Sequence, residues 1–149
     1  MAQTIYGESR GENKSTKTAI GWSIRNRADI KLKSVKSIVT KRAQYSCWNR
    51  YDPNYEATTN SEEHAKNNGD LVVWQECLTI SKKVLESNKA DDPTQGATHY
   101  YDKSMDNRPP IWASIKVEPN LQKIEVNNVQ NIRFFKGVRF RKGFYCIYF

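Results

Sequence analysis

Within residues 15–29, Ile20, Ile24 and Ala28 recur at every fourth position, with Trp22 beside them. That spacing gathers apolar side chains on one face of a helix, and Ser15 or Thr16 is suited to cap its start. A shorter stripe of Val35, Ile38 and Val39 predicts a second helix over 34–42. The longest stripe lies in 70–88, where Trp74, Cys77, Leu78, Ser81, Val84 and Leu85 fall at helical spacing. It ends near Asn88, before the turn-forming DDPTQG. Residues 44–60, QYSCWNRYDPNYEATTN, show neither periodicity and read as a polar, aromatic loop. The last third changes character. Short β-prone runs at 97–101, 123–126 and 132–138 predict strands, and MDNRPPIW is a loop because adjacent prolines lack N–H donors. The closing GFYCIYF either packs as a final strand or stands as an exposed aggregation hazard. Helices first and strands later predict an α+β fold, with a short antiparallel sheet in the C-terminal third.

Composition narrows the class. A chain of 149 residues suits one compact core, and a mean hydropathy of -0.81 describes a polar protein. No apolar run approaches the roughly 18 residues of a membrane span. The opening MAQTIYGESRGENK lacks a basic stretch followed by an apolar core, so no secretory signal is expected. Such a protein acts where it is made, leaves by another route or is released at lysis. Lysines and arginines number 24 against 16 acids, a net charge of +8. The excess is concentrated: residues 31–50 carry six basic side chains and no acid, and residues 126–149 carry five and no acid. Patches of this kind favour a polyanion, whether nucleic acid, anionic membrane or wall polymer.

Candidate chemistry is sparse. Cys47, Cys77 and Cys146 form no CxxC or CxH pair, so neither a zinc site nor any other metal or cofactor is expected. His64, in SEEHAK, reads as solvated. His99, in ATHYY, has no evident triad partner, and Cys47 lacks the context of a catalytic thiol. GENKSTK is not a phosphate loop. The segment TIYGESRGE stands out instead. Glu8 follows the apolar Ile5-Tyr6 pair at the end of a short helical stretch, where desolvation raises a carboxyl pKa and lets it carry a proton near neutrality. Glu12, four residues on, would share its face if the helix continued. The alternative is a solvated helix end with Glu8 as a surface charge. Tyr45, Trp48, Tyr51 and Tyr55 cluster in one loop and Tyr100-Tyr101 form a second pair. Such rings pack on sugar faces, while Gln44, Ser46 and Asn49 reach hydroxyls; loop or core anchoring is the competing explanation.

In combination these segments resemble the SleB/CwlJ-type cell wall hydrolase family. TIYGESRGE resembles the family's IYGEARGE opening, and AIGWSIRNR its following AVAWVIxNR helix. QYSCW resembles QFSCW, and DPN, WxxC, VL, DPTQGATHYY and PPxWA continue the pattern in order over most of residues 3–137. The resemblance implies a small, helix-rich, lysozyme-like catalytic domain over 1–138, followed by a basic and aromatic tail at 139–149 without a family counterpart. It implies cleavage of peptidoglycan between N-acetylmuramic acid and N-acetylglucosamine, by a lytic transglycosylase with Glu8 as the catalytic carboxyl. Glu8-Ser9 is similar to the Glu-Ser pair of other lytic transglycosylases. Ser9, Gln44, Tyr45, Ser46, Trp48, Tyr100 and Tyr101 are then the candidate glycan-binding residues. The family's IGxHxF histidine has no equivalent in VQNIRFF, where Ile132 or Arg133 stands, so its role is not carried over.

The implied partner is the glycan strand, acted on by a monomer without nucleic acid or stable membrane insertion. The implied setting is the cell wall, reached as a phage- or virion-associated protein or at lysis, and otherwise the cytoplasm. Two rivals stand beside this expectation. One is ordinary hydrolysis with Asp52 or Asp102 activating water; the other is a non-catalytic basic module for wall polymer or nucleic acid. Juxtaposing the QYSCW loop with the WxxC helix also brings Cys47 towards Cys77, as a disulfide if the protein matures outside a reducing compartment or as two buried thiols otherwise.

Overall fold

The computed structural model describes residues 1–41 and 44–140 together with the backbone of 147–148. Residues 141–146 and 149, and hence Cys146 and most of the basic tail, lie outside the described residues. Six helices come first: α1 (Ala2–Ser9), α2 (Lys14–Lys31), α3 (Val35–Val39), α4 (Tyr55–Thr59), α5 (Ser61–Asn68) and α6 (Leu71–Glu86). A 3-10 turn at Ser46–Trp48 lies between α3 and α4. The strands follow: β1 (His99–Asp102), β2 (Gln122–Ile124), β3 (Ile132–Lys136) and β4 (Ile147–Tyr148). The expected α+β architecture is present. The sheet order is β2-β3-β1-β4; β3 runs antiparallel to both β1 and β2, whereas β4 joins β1 in parallel.

Helix α2 carries the expected stripe, with Ile20, Ile24 and Ala28 buried. Its cap is Asn13 rather than Ser15 or Thr16: Asn13 Oδ1 accepts from the Thr16 N–H at 2.9 Å. Helices α1, α2 and α6 pack around Ile5, Ile20, Ile80 and Val84. Gly21 permits this crossing, because a Cβ there would lie 3.2 Å from Ile5 Cδ1 and 3.3 Å from Val84 Cγ2. On α6 the inward face is Trp74, Cys77, Ile80 and Val84, while Leu78 and Leu85 are exposed. The expected stripe was therefore rotated: Ile80 takes the inward place assigned to Leu78 and Leu85.

The largest departure is at 55–68, where helices α4 and α5 occupy the end of the expected loop and the segment after it. Their buried residues are Ala57, Thr58, Ser61 and Ala65. Small and hydroxylated side chains let helices approach closely without making an apolar stripe, so hydrophobic periodicity does not register them. His64 is correspondingly half-buried rather than solvated, with Nδ1 3.1 Å from the Tyr6 hydroxyl.

Strand β1 separates two apolar clusters. Tyr100 and Phe134 face the helices, while Tyr101 and Phe135 face a second cluster with Trp112 and Val138. This is the period-2 alternation of a strand covered on both sides.

Candidate active site

Glu8 sits in the last turn of α1, 8% exposed. The chain reaches this burial through Gly7. A Cβ on Gly7 would fall 1.9 Å from Thr58 Oγ1 and 3.0 Å from Cys47 Cβ, so only glycine lets α1 lie this close to α4 and the 46–48 turn. On the opposite side of α1 the Tyr6 hydroxyl bonds His64 and, at 3.3 Å, Asp70, tying the helix to α5 and the start of α6.

Two donors hold the Glu8 carboxyl. The Cys47 N–H donates to Oε1 at 3.1 Å, and the Tyr100 hydroxyl donates to Oε2 at 3.3 Å. Burial pushes the Glu8 pKa up from 4.5 to about 7; the bonds from Cys47 and Tyr100 oppose the rise, and the charge of Asp52 adds to it. The same burial, with the charge of Glu8 beside it, pushes the Cys47 thiol well upward. A thiol so strongly protonated is a poor nucleophile.

The placement of Tyr100 traces to the DPTQGA turn. Asp92 Oδ1 accepts from the N–H of Thr94 at 2.8 Å, and Oδ2 accepts from the N–H of Gly96 at 2.8 Å. Gly96 adopts φ +88, a left-handed conformation that suits glycine. Asn26 of α2 donates to Asp92 Oδ2 at 2.8 Å and to the Ala97 carbonyl at 3.1 Å. The turn is thereby fixed to α2, and β1 leaves it with Tyr100 aimed at Glu8.

The other sequence candidates divide. Ser46 and Trp48 lie half-buried on the turn that presents Cys47, and Trp48 Nε1 donates to Thr4 Oγ1 at 3.1 Å. Tyr45 is buried against the Arg27 guanidinium, 5.5 Å from its ring centroid, and Arg27 also donates to Gln44 Oε1. Ser9 is buried, with its hydroxyl donated to the Ile5 carbonyl at 2.7 Å, so it is committed to its own helix. Tyr101 does not accompany Tyr100; strand alternation sends it to the Trp112 side. Tyr51 is fully outward. Glu12 does not share the face of Glu8, because α1 ends at Ser9; its carboxylate meets Asn131 instead. Cys47 and Cys77 are both buried free thiols and form no disulfide. Cys47 lies against Glu8 and Thr58, whereas Cys77 lies beside Lys17 and Glu76.

Arg27, Asn26 and Thr58 were not singled out from the sequence. The first two belong to the IRNR segment, where a buried arginine on an apolar helix face was the available signal. Among the described residues no cluster of three or more His, Cys, Asp or Glu side chains is placed to hold a metal ion, and no helix is long and apolar enough to cross a membrane.

The cell wall hydrolase family profile matches residues 11–135. The chain belongs to that family. A cell wall hydrolase is an enzyme of peptidoglycan, which the sheltered carboxyl and the sugar-compatible side chains around it suit. The match includes the Cys47 turn, Asn26 and Arg27 of α2, the DPTQGA turn and Tyr100, and it begins just after Glu8. Neither the curated proteins nor the solved structures gave a match to this cell wall hydrolase.

Proposed function

We propose that this cell wall hydrolase is a lytic transglycosylase in which Glu8 alone acts as acid and then base. The observation that carries the reading is the buried Glu8 carboxyl, with a pKa near 7 and two fixed donors. An acid–base group works best when its pKa lies near the working pH. Protonated Glu8 gives its proton to the glycosidic oxygen as the bond to the muramoyl anomeric carbon breaks. The Glu8 carboxylate then takes the proton of the muramoyl C6 hydroxyl, whose oxygen bonds to that same carbon. The products are a 1,6-anhydro ring and a free hydroxyl on the departing sugar, and Glu8 ends protonated, as it began. The Cys47 N–H and Tyr100 hydroxyl steady the carboxylate between the two transfers.

The hydrolytic rival keeps one specific observation. Asp52 is the carboxylate whose charge reaches Glu8. Asp52 Oδ1, however, accepts the Asn54 N–H at 2.8 Å as part of its own turn. Such local bonding suits a structural role better than a free general base. Asp102 is similarly committed, to the Ser104 N–H at 2.8 Å. Mass spectrometry of digested, purified peptidoglycan tests the reading. Glycan ends lighter by one water than reducing ends support the transglycosylase; reducing ends alone support the hydrolase.

A further inference from the structure

Outside the Glu8 site, a cleft lies where α2 gives way to α3 and the chain turns back towards the 46–48 turn. It is lined by Lys31, Lys33, Ser37, Thr40, Lys41 and Gln44. Among the described residues no acid lines it, and none occurs in sequence from 31 to 50.

Several basic side chains elsewhere are paired with acids: Lys17 with Glu76, Lys89 with Asp29, Arg133 with Asp106 and Arg139 with Glu118. Among the described residues, neither Lys33 nor Lys41 has an acidic partner, and both are exposed. Lys31 rests over the Phe140 ring at 4.2 Å, and Gln44 is anchored on the buried Arg27, so one wall of the cleft is fixed. The exposed ammonium groups of Lys33 and Lys41, set on a concave surface, focus a positive potential there.

Along the chain, the Gln44 end of the cleft lies close to the turn that holds Glu8. Gln44 is three residues before Cys47, whose N–H holds Glu8. Three residues span at most about 11 Å. The Gln44 end of the cleft therefore lies near a glycan seated at Glu8.

We propose that this cleft is a subsite for an anionic group, carboxylate or phosphate, borne by the wall polymer next to the bond that is cut. The proposal rests on the reading of Glu8 as the reacting centre. Two sources share this chemistry: the carboxylates of the peptides attached to the glycan, and the phosphodiesters of an anionic polymer linked to it.

The test measures binding, so that failure of the Glu8 mechanism leaves it readable. Lys33→Glu with Lys41→Glu is compared with Lys82→Glu with Lys116→Glu, an exposed pair outside the cleft that changes net charge equally. Co-sedimentation is measured with whole sacculi, with glycan stripped of peptide and with sacculi stripped of phosphate polymer. The cleft pair should bind whole sacculi about tenfold more weakly than wild type, a difference of about 1.4 kcal/mol, while the control pair should lose about twofold. Disappearance of the tenfold gap on peptide-free glycan assigns the subsite to carboxylates, and disappearance on phosphate-free sacculi assigns it to phosphate. Equal losses for both pairs, persistence of the gap on both stripped substrates, or a comparable gap in binding to duplex DNA would overturn the proposal. Circular dichroism of the variants separates misfolding from lost binding, and Lys33→Gln with Lys41→Gln repeats the comparison if the reversed charges disturb α3.

Discussion

Strand β1 carries consecutive residues into two unlike buried environments. On the helix side, Tyr100 meets Glu8; on the other, His99 is enclosed by Trp112 and Phe140, with ring centroids 5.1 and 5.3 Å away. Both sides bury a titratable group, Glu8 beside the Tyr100 hydroxyl and His99 between aromatic rings. Glu8 is raised to about 7, into the range where it exchanges protons near neutrality. His99 is driven the other way, first by burial and then by the charges of Arg27 and Lys31, and stays neutral. Its Nδ1 lies 2.8 Å from the Thr98 hydroxyl, a neutral partner. Burial perturbs both groups, yet only one acquires a pKa matched to acid–base work.

Five outcomes sharpen or break that contrast. The largest concerns loss of the carboxyl. Glu8→Gln should lower activity on purified peptidoglycan by about 10²–10⁴-fold, the usual scale of general acid–base catalysis. His99→Gln, scored per folded molecule, should leave the pH–rate profile unchanged. A Glu8→Gln enzyme with near wild-type activity would erase the distinction between the two sides of β1.

Next in size is stability. A raised pKa means that the folded protein holds the Glu8 proton more tightly than the unfolded chain does. The associated stability is fully present below about pH 4.5 and is lost as the pH rises through 7. Glu8→Gln lacks that loss. Above pH 7 it should be more stable than wild type by about 3 kcal/mol, with the advantage vanishing below pH 4.5, as followed by urea denaturation at several pH values.

The smallest effect separates the adjacent tyrosines. Tyr100→Phe removes a donor that favours the Glu8 carboxylate. It should move the alkaline fall in activity to higher pH and cost about tenfold in rate, near the value of one hydrogen bond to a charged group. Tyr101→Phe should leave both readings in place, because that ring stacks on Phe135 at 5.4 Å on the far side of the strand.

Much of this arrangement was legible in the residues. The apolar spacing of Ile20, Ile24 and Ala28 gave α2, and the β-prone runs gave three strands, because those elements bury branched and aromatic side chains with a clear period. The IYGE segment singled out Glu8, and the QYSCW and ATHYY segments marked the turn and the tyrosine pair from which the fold brings the Cys47 N–H and the Tyr100 hydroxyl to it. Helices α4 and α5 were not legible, since Ala57, Thr58, Ser61 and Ala65 pack by being small. Nor did the sequence distinguish Tyr100 from Tyr101. A two-sided strand is apolar at every position, and only its partners Phe134 and Phe135 reveal which residue faces Glu8. Of the two alternatives open for Cys47 and Cys77, the fold shows buried free thiols, each with its own neighbours.

The central claim is that Glu8 carries a proton near neutral pH. A carbon-13 NMR titration of labelled glutamate side chains in the folded protein measures it directly, with Glu8→Gln supplying the assignment. One carboxyl titrating near pH 7, and missing from the variant spectrum, is the expected result. A Glu8 signal titrating near 4.5, the ordinary glutamate value, would contradict the account.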